Sequence, residues 1–181
     1  MKEKGWKKGM VHVYTGDGKG KTTAAVGLAV RAAGCGLRVI FVQFFKLDDD
    51  PSGEKEIFRK NIPSIELVRS NLRHPMFTGK AADMEAIKRS VRDAFELARM
   101  RVGEGFDIIV LDEIMGAING GFIGLEDVVG FIDARPEGLE VVLTGRNAPA
   151  ELVKRADYVT EFLDIKHPYA GGTGARKGIE F

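Results

Sequence analysis

The chain has 181 residues, of which 44% are hydrophobic, enough to bury the core of one α/β domain. Its 27 basic and 26 acidic residues leave a net charge of +1, so no overall field favours binding to nucleic acid or to an anionic membrane. The single cysteine, Cys35, excludes an internal disulfide, and no apolar run approaches the length of a membrane span. These features predict a cytoplasmic protein with neither a nucleic-acid nor a membrane partner.

The first part of the chain leads into a glycine-rich turn. Residues 1–9 are basic, contain the lone tryptophan and have no buried periodicity, so they are predicted to form a mobile arm. A first strand is predicted at 10–14, and a helix begins at Thr22. The turn between them reads Thr15-Gly16-Asp17-Gly18-Lys19-Gly20-Lys21-Thr22-Thr23.

This order of strand, glycine-rich turn and helix predicts a phosphate-binding P-loop. Backbone N–H groups of the turn and the helix N-terminus point at one anion, while Lys21 adds a cation and Thr22 a hydroxyl for Mg²⁺. In the usual pattern four residues separate a first glycine from Gly-Lys-Thr, and Thr15 occupies the place of that glycine here.

The rest of the chain alternates apolar strands with helices. Further strands are predicted at 38–45, 65–69, 106–113, 139–144 and 158–163, and further helices at 54–60, 81–102, 125–134 and 150–156. Alternation of this kind predicts an α/β fold with a mostly parallel, doubly wound sheet flanked by helices. Without an internal repeat or a linker, residues 1–181 are expected to form a single domain.

Two polar loops interrupt this alternation. The loop at 46–53 contains three consecutive aspartates, which suggest either a metal site or, more commonly, a solvated turn. The loop at 70–80 contains His74-Pro75-Met76-Phe77. Met76 and Phe77 either pack under their own loop or face a large apolar ligand.

Polar residues at several strand ends are expected to meet, because open α/β sheets bind ligands outside the carboxyl ends of their strands. Asp112 and Glu113 end one buried strand and match the acidic position that holds Mg²⁺ in P-loop proteins; the alternative is a solvent-facing carboxylate pair. Arg146 follows another strand, where it either pairs with Glu113, stabilises phosphate charge or makes a structural ion pair. Among the three histidines, His167 is the best functional candidate because it lies in a polar, glycine-rich tail.

Several segments together resemble the P-loop type of corrinoid (cob(I)alamin) adenosyltransferase. They are the P-loop in its Thr-first form, Val110-Leu111-Asp112-Glu113-Ile114, Ala134-Arg135-Pro136, Leu143-Thr144-Gly145-Arg146-Asn147-Ala148-Pro149, Lys166-His167-Pro168-Tyr169 and Ala175-Arg176-Lys177-Gly178-Ile179-Glu180-Phe181. The resemblance implies a RecA-like fold and a homodimer. It also implies transfer of the 5′-deoxyadenosyl group of ATP to the cobalt of a reduced corrinoid, with release of triphosphate and with a flavodoxin-like reductant as partner.

The resemblance also implies roles for individual residues. Catalytic roles fall to Lys21, Thr22 and Glu113, and Mg²⁺ binding falls to Thr22, Asp112 and Glu113. Binding of ATP or corrinoid falls to Thr15, Gly16, Asp17, Gly18, Lys19, Gly20, Lys21, Thr22, Thr23, Arg146, Met76, Phe77, His167 and Arg176. The chain departs from better-known members where they carry a Phe-Thr-Trp type aromatic pair that shields the cobalt; Met76 and Phe77 are expected to take that role.

Two other functions are compatible with the residues. One is an ATP hydrolase or kinase, in which Asp112 binds Mg²⁺ and Glu113 activates water or a hydroxyl. The other is a binding module without turnover or a RecA-like partner of nucleic acid, which the near-neutral charge disfavours. Triphosphate as product distinguishes adenosyl transfer from phosphoryl transfer.

Overall fold

The structure, a computed structural model, describes residues 7–78 and 83–180, and within these ranges six strands form one parallel sheet. The strands are Val11–Thr15 (β1), Val39–Gln43 (β2), Ile65–Arg69 (β3), Ile108–Asp112 (β4), Glu140–Thr144 (β5) and Tyr158–Glu161 (β6). Their order is β3-β2-β4-β5-β1-β6, and every described pairing is parallel. The predicted parallel α/β sheet is therefore confirmed.

Seven α-helices connect these strands in the described ranges. They are Lys21–Gly34 (α1), Gly53–Asn61 (α2), Pro75–Thr78 (α3), Met84–Arg101 (α4), Ile114–Asn119 (α5), Leu125–Ala134 (α6) and Ala150–Arg155 (α7). Short 3₁₀ turns occur at Val102–Glu104 and Pro168–Gly171. None of the helices in 7–78 and 83–180 is long and apolar enough to cross a membrane.

The central strands of the sheet are covered on both faces, which explains why β2 and β4 are nearly continuous apolar runs. Along β2, Val39 and Phe41 belong to the apolar cluster that contains the buried alanines of α1, whereas Ile40 and Val42 belong to the cluster on the opposite face, which contains apolar residues of α4 and α6. A parallel strand covered on both faces has no polar side to present. Because successive side chains of a strand point to opposite faces, a uniformly apolar strand needs helices on both sides of the sheet, as in a doubly wound fold.

The structure corrects several predicted boundaries. The second strand ends at Gln43 rather than at residue 45, because Phe45 takes a left-handed backbone with φ of 60°. The predicted loop at 70–80 contains the short helix α3, and α5 was not predicted at all.

The predicted mobile arm is also corrected at its end. Gly9 is buried and donates its N–H to the carbonyl of Glu137 over 2.7 Å, so this residue is held against the rest of the domain. Residues 1–6 of that arm lie outside the described residues.

The aspartate loop after β2 is held by cations and is not simply a solvated turn. The ammonium of Lys55 donates to the carbonyl oxygens of Asp48 (2.6 Å) and Asp50 (3.0 Å). The guanidinium of Arg69 donates to the carbonyl of Leu47 and to the hydroxyl of Ser52, both over 2.6 Å. These contacts fold the loop around two partly buried cations.

Candidate active site

The loop between β1 and α1 takes the path that its glycines allow. Gly16 has φ of 98°, a conformation that residues with a Cβ rarely adopt. A Cβ on Gly18 would lie 2.5 Å from the carbonyl oxygen of Leu163, so the segment after β6 packs directly on the loop. Two hydrogen bonds fix this contact: Phe162 N–H to Thr15 O (2.8 Å) and Gly18 N–H to Phe162 O (2.7 Å).

Lys21 lies at the first turn of α1 and folds back over the loop. Its ammonium donates to the carbonyl oxygens of Gly16 (2.6 Å) and Gly18 (2.8 Å). Partial burial lowers the pKa of Lys21, and the nearby Glu113 carboxylate opposes that shift. A cation, the loop amides and a helix N-terminus are therefore concentrated at one place, which suits a polyanion.

Asp112 is buried at the end of β4 and accepts two hydroxyl hydrogen bonds on the same oxygen, Oδ1. Thr22 donates over 2.9 Å from α1, and Thr144 donates over 2.7 Å from the end of β5. Burial raises the pKa of Asp112, while the two hydroxyls act in the opposite direction. The carboxylate thereby joins the P-loop helix to two neighbouring strands.

Glu113 has an unusual backbone at the start of α5. Its φ of 68° is left-handed, which costs a residue other than glycine about 1–2 kcal/mol. Its N–H donates to the hydroxyl of Thr144 over 2.9 Å. Burial, followed by the charge of Asp112, raises the pKa of the Glu113 carboxyl, and Lys21 is the largest influence in the opposite direction. A strained acidic residue beside the P-loop is typical of a functional site.

Arg146 lies in a tight turn after β5. Its Nε is 3.5 Å from Oδ1 of Asp17 in the P-loop, and both side chains are exposed. The described ion pair is therefore with Asp17, not with Glu113, although the charges of Arg146 and Glu113 influence each other. Asn119 supports the turn by donating its amide to the carbonyl oxygens of Arg146 (3.1 Å) and Asn147 (3.2 Å).

A cavity of about 530 Å³ opens over the P-loop. Its lining consists of Asp17, Gly18, Lys19, Gly20, Lys21, Thr22, Thr23, Arg146, Asp164, His167, Tyr169, Ile179 and Glu180. The structure thus brings together most of the predicted P-loop residues with Arg146 and His167. Of the other predicted binding residues that the structure describes, Thr15, Gly16, Met76 and Arg176 are not in this lining.

Sequence reasoning had not singled out Asp164, Tyr169, Ile179 or Glu180 for the site. Tyr169, Ile179 and Glu180 belong to the tail segments that carry the family resemblance, and this resemblance is the sequence signal that could have identified them. Arg176 is connected to the cavity indirectly, since its guanidinium pairs with Glu180 over 3.0 Å. His167 caps the 3₁₀ turn that contains Tyr169, whose N–H donates to Nδ1 of His167 over 3.2 Å.

The loop that contains Met76 lies at the same edge of the sheet, beside an aromatic cluster of Phe45, His74 and Phe122. The His74 ring contacts Phe45 edge-on at 4.7 Å between centroids, and Phe45 lies 5.4 Å from Phe122. Burial lowers the pKa of His74. Strands β2 and β1, which lead into the cluster and the P-loop, are three strand positions apart, or about 14 Å across the sheet.

Met76 itself is 79% exposed, so it does not pack under its own loop. The Phe77 side chain lies outside the described part of the structure. Of the two residues predicted to shield a ligand, Met76 is therefore the one whose side chain the structure describes.

The acidic end of β4 suits a hard cation. Thr22, Asp112 and Glu113 offer hydroxyl and carboxylate oxygens, the donors that Mg²⁺ prefers. Within residues 7–78 and 83–180, no group of three or more His, Cys, Asp or Glu side chains is arranged to hold a metal ion. Any cation here would therefore share its coordination with a substrate or water.

Comparison with known proteins gives the site its context. A family model described as ATP:corrinoid adenosyltransferase BtuR/CobO/CobP matches residues 7–181. The corrinoid adenosyltransferase of Escherichia coli (strain K12) is 33% identical over 175 residues, which cover 96% of this chain and 86% of that protein. The corrinoid adenosyltransferase of Pseudomonas aeruginosa is 35% identical over 175 residues, covering 96% and 84%.

Among solved structures, the cytoplasmic domain of EssC aligns with a TM-score of 0.53 at 15% identity. The alignment covers 95% of this chain and 35% of that one, and it supports the fold alone. The sequence relatives and the family model extend over nearly the whole chain. The chain therefore belongs to the ATP:corrinoid adenosyltransferase BtuR/CobO/CobP family.

Proposed function

We propose that this enzyme transfers the 5′-deoxyadenosyl group of ATP to the Co(I) centre of a reduced corrinoid and releases inorganic triphosphate. The observation that carries the proposal is the cavity over the P-loop, where Lys19, Lys21 and Arg146 meet the N-terminus of α1. Family membership supports the same reaction. The enzyme acts as one domain over residues 1–181.

The reaction gives the cations at the P-loop a task. Co(I) attacks C5′ of the ribose, the Co–C bond forms, and the C5′–O bond breaks with its electron pair leaving on the triphosphate. No proton has to move in this step, so the protein's tasks are orientation and stabilisation of the leaving charge. Lys21 and the amides of Gly16, Asp17, Lys19 and Gly20 perform these tasks for the triphosphate, whereas the Gly18 N–H is already bonded to the carbonyl of Phe162.

Mg²⁺ accompanies the nucleotide in this proposal. Thr22, Asp112 and Glu113 are the residues that would hold it, directly or through water, and the ion would neutralise part of the triphosphate charge. Thr22 and Glu113 thereby count with Lys21 as the catalytic residues. A cation bound there would contact the same Asp112 carboxylate that accepts the Thr22 hydroxyl hydrogen and so joins α1 to β4.

The corrinoid extends from the cavity across the carboxyl edge of the sheet in this proposal. Met76 and Phe77 cover one face of the cobalt, and the tail with His167 and Arg176 encloses the nucleotide or the corrin ring. The exposure of Met76 supports a role as a contact surface.

The enzyme functions as a homodimer in the cytoplasm, where ATP is plentiful and a flavodoxin-like protein supplies the reducing electron.

Product analysis tests the proposed reaction. The purified enzyme is incubated anaerobically with ATP, Mg²⁺ and cobalamin that has been chemically reduced to Co(I). We expect an adenosylated corrin in the absorption spectrum and triphosphate in the phosphorus NMR spectrum, in equal amounts. ADP with phosphate, and no alkylated corrin, would instead identify an ATP hydrolase or kinase.

A further inference from the structure

We propose that Thr15 is a positioning residue whose hydroxyl fixes Arg146 over the phosphate cavity. This inference rests on the proposed function, because it concerns how the site holds triphosphate. It assigns to the first P-loop position a task other than phosphate contact. Thr15 is not among the described residues that line the cavity, which is consistent with an indirect role.

The connection between Thr15 and Arg146 is a hydrogen bond through the backbone. The hydroxyl oxygen of Thr15 accepts the N–H of Ala148 over 3.2 Å, two residues beyond Arg146. On the other side of Arg146, the N–H of Gly145 donates to the carbonyl of Tyr14 over 3.1 Å. The turn that carries Arg146 is therefore attached to the end of β1 at both of its sides.

These two attachments act together with Asn119, whose amide donates to the carbonyl oxygens of Arg146 and Asn147. They matter because the Arg146 side chain is weakly held. Its ion pair with Asp17 is long, at 3.5 Å, and exposed, and such pairs contribute little to order. The turn itself contains two left-handed residues, Gly145 with φ of 136° and Asn147 with φ of 54°. Such a backbone persists only where surrounding contacts hold it.

The Thr-first form of the P-loop follows from this arrangement. Thr15 lies within β1 and is not one of the positive-φ residues of the chain, so its backbone does not require glycine. Glycine at this position would keep the main-chain contacts but would remove the acceptor for Ala148. The hydroxyl is thus the part of Thr15 that the Arg146 turn uses.

A double-mutant cycle on triphosphate binding tests the inference. Inorganic triphosphate is titrated calorimetrically into the wild-type protein, Thr15→Val, Thr15→Ser, Arg146→Ala and the Thr15→Val/Arg146→Ala double variant. We expect Thr15→Val to weaken binding about fivefold, the equivalent of one hydrogen bond. Thr15→Ser should stay within about twofold of wild type, and Thr15→Val should have no further effect once Arg146 is alanine.

The control is Thr160→Val, which makes the same change on the exposed strand β6 and should bind as wild type. Thermal melts of all variants report on folding, and Thr15→Gly replaces Thr15→Val if that variant does not fold. Independent losses for Thr15→Val and Arg146→Ala would overturn the inference, as would a serine variant as weak as the valine variant or a valine variant that binds normally. Wild-type protein that binds triphosphate but forms no adenosylated corrin would refute the proposed function, and the binding cycle would still decide the role of Thr15.

Discussion

Thr144 donates its hydroxyl hydrogen to Oδ1 of Asp112 over 2.7 Å, and this contact joins the carboxyl ends of β5 and β4 beneath the P-loop. The same hydroxyl accepts the N–H of Glu113 over 2.9 Å and so supports the left-handed backbone of that residue. One fully buried hydroxyl therefore serves both acidic residues of the site. Loss of this hydroxyl would leave both the buried Asp112 carboxylate and the Glu113 N–H without one hydrogen-bond partner.

Thr144→Val is predicted to destabilise the fold and to impair the site. Valine has the shape of threonine but leaves the Asp112 carboxylate and the Glu113 N–H each without one partner, which costs about 1–3 kcal/mol. Urea unfolding followed by circular dichroism measures this loss. Thr144→Ser keeps the hydroxyl and should lose clearly less stability; equal losses in both variants would show that the methyl group, not the hydroxyl, is what matters.

Gly18→Ala is predicted to displace the segment after β6 from the P-loop. The new Cβ would lie 2.5 Å from the carbonyl oxygen of Leu163, a backbone atom that cannot rotate away. We expect a cost of about 1–3 kcal/mol in the free energy of unfolding, together with weaker triphosphate binding.

A matched control for Gly18→Ala lies nine residues further along the chain. Gly27 is inside α1, and a Cβ there meets nothing within 4 Å. Gly27→Ala should therefore stabilise the protein by about 0.5–1 kcal/mol, because alanine favours helix more than glycine does. Similar losses in the two variants would contradict the packing argument at Gly18.

Asp112→Asn is predicted to stabilise the folded protein while it abolishes adenosyl transfer. Burial raises the pKa of the Asp112 carboxyl, so between its ordinary pKa and the raised one the folded chain holds more protons than the unfolded chain. The free energy of unfolding of the wild type therefore falls as pH rises through that window, whereas asparagine has no such loss. We expect a gain on the order of 1 kcal/mol at neutral pH that shrinks as the pH is lowered.

Melting curves of Asp112→Asn and wild type at several pH values measure this difference. Glu126→Gln, which removes one negative charge from the exposed side of α6, controls for the change in net charge. A gain that is the same at every pH, or that grows at low pH, would show that the buried charge is not its cause.

The fold and the centre of the site could be predicted because their signals are local. The strand, glycine-rich turn and helix around Gly18 and Lys21 are adjacent in sequence, and the apolar composition of β2 indicates that both of its faces are buried. Asp112 and Arg146 could be placed near the loop because parallel strands align their carboxyl ends.

The remaining features depend on contacts between distant segments. The Ala148 N–H that meets Thr15 lies 133 residues away, and the Thr144 hydroxyl that meets Asp112 lies 32 residues away. Phe45, which has a left-handed backbone, packs its ring against His74 and Phe122, and local propensity contains no signal of these contacts. No local pattern of residues distinguishes these hydroxyls and rings from ordinary exposed ones.

Lys21→Ala is predicted to reduce adenosyl transfer by about 10²–10³-fold, the cost of removing one donor to a developing negative charge. The structure adds a pH dependence to this expectation. Burial lowers the pKa of Lys21, so its charge is present below that pKa and is lost as the pH rises through it. The advantage of the wild type over Lys21→Ala in triphosphate affinity should therefore shrink at a lower pH than an ordinary lysine would require. The ratio of the two dissociation constants is measured from neutral to alkaline pH, because the titration of triphosphate itself affects both constants and cancels in the ratio.

Lys19→Ala provides the comparison, because Lys19 is exposed and the variant retains Lys21. It should keep the alkaline loss of the wild type, and a wild-type to Lys21→Ala ratio that stays constant with pH would exclude Lys21 as the titrating cation.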